Sequence, residues 1–144
     1  MTIHGTPVTT NLYSTVAALK TRLSISDTTD DTTLGSILTA VCRAIDTHCG
    51  QRFYRDSAAA TRYYTAEHDD TLFIEPLVSV TSIATDTGYD RLYATTWATT
   101  DYDLMPLNAA ADGWPYTWIE TAPDGDYEFI SLKRGVKIVG IFGW

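Results

Sequence analysis

Helices first and strands afterwards is the order this sequence predicts: an α+β protein, with an N-terminal helical hairpin followed by a small antiparallel β-sandwich or barrel. Three observations point there. Residues 34–45 repeat apolar side chains at the three- and four-residue spacing of a helix with one covered face. From residue 61 onward the period falls to two, in short runs punctuated by Gly, Pro, Asn and Asp. Threonine occurs 24 times and tyrosine nine times, and both suit pleated, half-covered surfaces wherever the helical period fails. A helical part followed by a strand part is the α+β arrangement rather than the alternating one. At 144 residues the chain has material for one compact domain overall.

Residues 1–12 are polar, β-leaning and aperiodic, and read as an arm. The helical hairpin occupies residues 13–55. Ser14 or Thr15 opens a short first helix with Val16, Leu19 and Leu23 on one side and Lys20 and Arg22 near its end, where cations suit the helix dipole. Residues 24–29, rich in Ser, Asp and Thr, form the connection. A second helix starts at Asp30, Asp31, Thr32 and Thr33, which can cap free amides, and stops at Gly50; at ~1.5 Å per residue it runs about 28 Å. Leu34, Ile37, Leu38, Val41 and Ile45 form its stripe, and the two helices are expected to pack as a hairpin through Leu19, Leu23, Leu34, Leu38 and Val41. On that reading Ile45→Ala opens a cavity at a cost of about 2–5 kcal/mol. The other face, with Ser36, Thr39, Arg43, Asp46 and Thr47, carries only two charges and is expected to have a second neighbour.

The antiparallel β region spans residues 61–144. Residues 61–65 and 71–75 flank an acidic turn with His68, Asp69 and Asp70 and read as a hairpin that Pro76 ends, since proline cannot donate to a ladder. Residues 77–85 alternate as a further strand, and 86–90 turn. Residues 91–94, 102–105, 116–120 and 136–142 are strand candidates; residues 106–115 are a loop by their Gly, Pro and Asn content. Trp118, between strand residues, reads as core.

The net charge of -8 is uneven: residues 1–72 hold 6 basic and 8 acidic side chains, residues 73–144 hold 4 and 10. Phosphate binding needs clustered Lys and Arg, so charge does not make this chain grip nucleic acid; an acidic wall past which DNA slides is compatible with it. Cys42 and Cys49, seven apart on one helix and so ~10 Å apart, cannot bond to each other and read as buried thiols of a reducing compartment. Residues 1–12 lack the apolar run of a signal peptide, and no stretch approaches the ~18 apolar residues of a membrane span, so no membrane partner is expected.

Candidate chemistry is sparse. His48, Cys49, Asp46 and Cys42 have no partner pair with ligand spacing, and adjacent helical positions point apart, so packing rather than a metal is expected. Glu67, His68, Asp69 and Asp70 lack the alternation of a calcium loop and read as a polar hairpin tip; Asp124-Gly125-Asp126 reads as a turn. Nucleophile elbow, phosphate loop and dinucleotide fingerprint are missing, so neither an enzyme nor a cofactor is expected. The candidate interface residues are Arg43, Arg52, Arg55 and Arg62, gathered near the end of the long helix, with Trp114, Tyr116 and Trp144. Trp114, between Gly113 and Pro115, is the expected exposed anchor.

Three stretches carry a family resemblance. They are Val16–Leu23 with the acidic turn, Leu34–Ile45 and Cys49-Gly50-Gln51-Arg52-Phe53; Tyr102–Asn108 with Trp114-Pro115-Tyr116; and Val136–Trp144. Together they resemble the bacteriophage head-tail connector family, the adaptor or head-completion proteins of long-tailed phages. The resemblance implies a structural virion protein in the neck, assembled in the host cytoplasm. Its copies would form a homo-oligomeric ring of about twelve. The ring would sit under the portal protein and pass double-stranded DNA to a stopper or tail-terminator protein. Longer relatives continue past the phenylalanine-glycine-tryptophan with a helix or a tail that plugs into the portal. The docking element here is then the N-terminal arm or a segment beyond this sequence. The rival reading is a β-sandwich module binding carbohydrate or peptide on Trp114, Tyr116 and Trp118, for which saturable binding by the monomer is the discriminator.

Overall fold

The computed structural model describes residues 11–144, so the arm expected over residues 1–12 lies outside the described residues except for Asn11 and Leu12. The chain divides into two compact units between Tyr54 and Arg55. Unit one is helical and unit two is a sheet, the α+β order expected.

In the first unit, α1 (Val16–Leu23) begins where the Thr15 hydroxyl accepts the Ala18 N–H at 3.0 Å. The longer α2 (Asp31–Cys49) ends at Gly50, whose φ of 67° is the left-handed stop. A 2.6 Å ion pair from Lys20 to Asp31 ties the first helix to the start of the second.

The face that α2 covers is not the expected one. Gly35 and Cys42 are its buried residues, whereas Ile37, Val41 and Ile45 are exposed by 53, 49 and 39 % and Leu23 by 54 %. Two contacts explain the rotation. Val16 lies 3.8 Å from where a Cβ on Gly35 would stand, so a small residue there admits α1. Tyr13 covers the far end: its N–H donates to Cys42 Sγ at 3.4 Å, its hydroxyl bonds the Asp46 carboxylate, and it accepts the Phe53 N–H at 2.9 Å. Burial, then the Asp46 carboxylate, pushes the Tyr13 hydroxyl pKa up. The polar face therefore has a neighbour in this chain at Arg43 and Asp46, while of the apolar stripe Leu34 and Leu38 are half-buried and Ile37, Val41 and Ile45 are left exposed. Cys49, expected buried, is exposed.

The second unit is one six-stranded antiparallel sheet, not closed into a barrel. Its strands are β1 (Ala60–Tyr64), β2 (Thr71–Thr85), β3 (Thr95–Thr96), β4 (Tyr102–Met105), β5 (Tyr116–Thr121) and β6 (Val136–Phe142); a short α3 (Ala109–Asp112) separates β4 from β5. The order is β1-β6-β2-β5-β4, with β3 on the end of β2. The expected hairpin between residues 61–65 and 71–75 is absent, because β6 lies between β1 and β2. Nor does Pro76 end a strand. It sits inside β2 where the register shifts, between Phe73, opposite Trp118, and Leu77, opposite Tyr116, so no ladder bond asks for its missing N–H. Residues 91–94 are loop rather than strand.

Alternation along β6 puts Val136, Ile138, Gly140 and Phe142 on the buried face. They meet Leu72, Leu77, Ile83 and Ile119, each at most 1 % exposed. Gly140 admits the Ser79 carbonyl so closely that a Cβ would collide with it. The core tryptophan is Trp97, 4 % exposed, stacked on Phe129 at 4.7 Å with its Nε1 donating to Thr85 Oγ1 at 3.1 Å. Trp118, expected in the core, is half-buried opposite Phe73, which is 67 % exposed.

These burials set the order of two truncations. Ile119→Ala is expected to lower stability by about 2–5 kcal/mol, while Ile45→Ala, on the open stripe, costs below about 1 kcal/mol rather than the cavity expected from its period. Urea unfolding followed by circular dichroism measures both.

Candidate interaction surface

In the sheet unit, three of the seven candidate interface residues converge. Arg55, Trp114 and Trp144 line a cavity of about 270 Å³ with Val78, Ala110, Gly113 and Pro115. Local chemistry puts Trp114 there. The chain leaves α3 through Gly113, at a φ of 73°, and the Trp114 N–H returns to the Ala109 carbonyl at 2.8 Å. The indole is thus held 59 % exposed, edge-on to Trp144 with ring centroids 5.3 Å apart. Arg55 forms no ion pair among the described residues. Tyr116 lines a neighbouring open groove of about 440 Å³ with Tyr102 and Leu104, and Val78 is common to both. Burial, then the Asp101 carboxylate, raises the pKa of Tyr102 in that groove.

The other arginines are engaged within their own units. Arg43 donates to the Asn11 carbonyl at 2.8 Å and pairs with Asp46 at 3.1 Å, and Arg52 donates to the Tyr54 hydroxyl at 3.0 Å. Arg62, in β1, bridges Asp56 at 3.2 Å and Glu75, and its guanidinium lies over the Phe142 ring at 4.0 Å. The four arginines are therefore split, Arg43 and Arg52 in the helical unit and Arg55 and Arg62 in the sheet unit.

The turn expected over residues 86–90 extends through the expected strand 91–94 as one loop, which joins β2 to β3. Tyr89 and Leu92 at its tip are each 73 % exposed. The loop has a fixed shape. Asp86, 2 % exposed, accepts the N–H groups of Asp90 at 3.1 Å and Arg91 at 2.9 Å. Tyr93 is buried at its base and donates to the Arg134 carbonyl at 2.8 Å. Tyr89, Arg91 and Tyr93 all have φ between 54° and 63°, a region that costs a non-glycine residue about 1 kcal/mol or more. Asp86 and Gly88 mark the turn expected over residues 86–90, but the Tyr-Asp-Arg-Leu order that follows lacks the Gly or Asn that usually flags such a backbone.

Among the described residues no group of three or more His, Cys, Asp and Glu could hold a metal ion, and no helix is long and apolar enough to cross a membrane. His48 and His68 are both exposed, one in each unit.

One titration is displaced beside the Arg62 clamp. Burial, then the Glu75 carboxylate, pushes the Tyr64 hydroxyl from 10.0 up to about 12. The folded chain thus keeps a proton that the unfolded chain releases near 10.0. Stability from this group is complete below that pH and is lost as the pH rises towards about 12. The urea midpoint should fall between about pH 9 and about pH 11, and by less in Tyr64→Phe.

Comparison of the chain with protein-family models, with curated proteins and with solved structures finds no match.

Proposed function

We propose that this chain is a structural adaptor of a phage neck: a ring-forming head-tail connector, seated between the portal protein and the stopper or tail-terminator protein, through which double-stranded DNA passes. The residue patterns of Val16–Leu23, Leu34–Phe53 and Val136–Trp144 suggest the family. The observation that carries the reading is the open stripe of α2, where Ile37, Val41 and Ile45 stand exposed one turn apart. A chain in water gains by covering such a row against a neighbouring subunit.

Charge supports the bore. Residues 1–54 carry 4 basic and 4 acidic side chains, while residues 55–144 carry 6 and 14, so the whole excess of -8 belongs to the sheet unit. Acidic walls repel phosphate and leave DNA free to move. The protein acts by assembly and not by catalysis, in the virion neck after joining in the host cytoplasm.

Light scattering or native mass spectrometry tests this. At about 1 µM the chain is expected to have the mass of one copy, and on mixing with portal particles to join them at about twelve copies per portal. A chain that ignores portals is not a neck adaptor.

A further inference from the structure

Copies that close a ring must each offer two different surfaces that fit one another, because one self-complementary patch makes only pairs. The sheet unit carries two such surfaces at opposite ends of β6. Trp144, in the tryptophan cavity, stands two residues beyond Phe142, the last residue of that strand. At the other end Val136 pairs with Thr85, and the 86–94 loop leaves the sheet there. Seven strand residues lie between, about 20 Å.

We propose that the 86–94 loop of one copy seats in the tryptophan cavity of the next, with Tyr89 and Leu92 against Trp114 and Trp144 and Asp90 on Arg55. The two surfaces match in size, charge and stiffness. The cavity, at about 270 Å³, is smaller than the ~300–1,000 Å³ of small-molecule sites and suits one or two inserted side chains. Among the described residues Arg55 has no ion pair, in a unit with an excess of acid, and between its two apolar tips the loop brings Asp90, an exposed carboxylate with one oxygen on the Leu92 N–H at 2.9 Å. The loop's shape is set before contact by the two amides on buried Asp86 and by buried Tyr93, so little conformational freedom is lost on docking. This contact rests on the ring reading for its geometry and adds direction to the α2 contact, which alone does not fix which way the next copy faces.

Sedimentation velocity on the whole chain, up to about 1 mM, reads it, since even a millimolar contact is half formed there. The wild-type chain is expected to grow into larger species with concentration. In a chain whose α2 stripe is closed to other copies by Ile37→Ser with Val41→Ser, exposed positions of the helical unit, a loop variant, Tyr89→Ser with Leu92→Ser, and a cavity variant, Trp114→Ala, each stay single. Mixed together they form a two-chain species and no larger one, because one intact loop then meets one intact cavity. Arg55→Asp and Asp90→Arg each weaken association about tenfold and restore it when combined in one chain, a readout a folding defect would not reproduce. Circular dichroism accompanies every variant. The proposal is overturned if the wild-type chain remains single at about 1 mM or if either variant associates as the wild type does. Association that survives in a chain ignoring portals removes the neck function and keeps the loop contact. Rings on portals formed equally well by both variants remove the loop contact and keep the neck function.

Discussion

The sheet depends on what happens at Pro76. A proline has no N–H for a ladder, and a 15-residue strand cannot carry one in its middle while pairing evenly on both sides. Here β2 changes partner at the proline. Thr71 to Phe73 pair with β5, Leu77 touches both β5 at Tyr116 and β6 at Phe142, and Ser79 to Thr85 pair with β6. One residue that cannot donate thus separates two ladders, and the second shifts register again between Val80 and Ser82. Gly140 is the counterpart on β6, the position where the Ser79 carbonyl comes too close for any side chain.

The same break places the tryptophan cavity. The Pro76 carbonyl accepts the Gly143 N–H at 2.8 Å and so holds Trp144. The Phe142 carbonyl accepts the Asp56 N–H at 2.7 Å and so holds Arg55 beside it. Leu77 opposite Tyr116 fixes the start of β5, and with it Pro115 and Trp114. Val78, the next residue of β2, lines both the cavity and the neighbouring groove. Chain segments distant in sequence meet there because each is bonded to, or paired with, residues flanking one proline.

That explains which parts were legible. Local signals held: Thr15 and Gly50 bound their helices, the alternation of residues 116–120 and 136–142 marked strands, and Gly113-Trp114-Pro115 marked an exposed indole. Partner choice was not local. Nothing within residues 61–75 says that β6, more than sixty residues on, will lie between β1 and β2. The long helix failed differently. Its period was right, but the covered face was chosen by hydrophobicity, while the actual neighbours are a valine that needs Gly35 and a tyrosine that needs Cys42 and Asp46. Of the site, Arg55, Trp114 and Trp144 are legible as residue types suited to interfaces and are adjacent; the exposed tip of Tyr89 and Leu92 is not, because the backbone between them is set by a buried carboxylate that holds the Asp90 and Arg91 amides, four and five residues on.

Charge decides what kind of contact each unit can make. The helical unit balances its charges, so it opposes the approach of another chain to Ile37, Val41 and Ile45 with no net charge. The sheet unit, with 14 acidic against 6 basic side chains, repels both DNA and its own copies at distances up to a Debye length, about 8 Å at physiological salt. A sheet-to-sheet contact must therefore draw its stability from short-range terms: apolar area removed from water, shape fixed in advance, and an arginine meeting a carboxylate at close quarters. The Arg62 clamp shows why Arg55 is the residue suited to this. Arg62 spends its guanidinium on Asp56 and Glu75 inside the unit, where it holds β1 to β2 across β6, while Arg55, seven residues earlier, stands at the cavity with its charge unanswered by any described carboxylate.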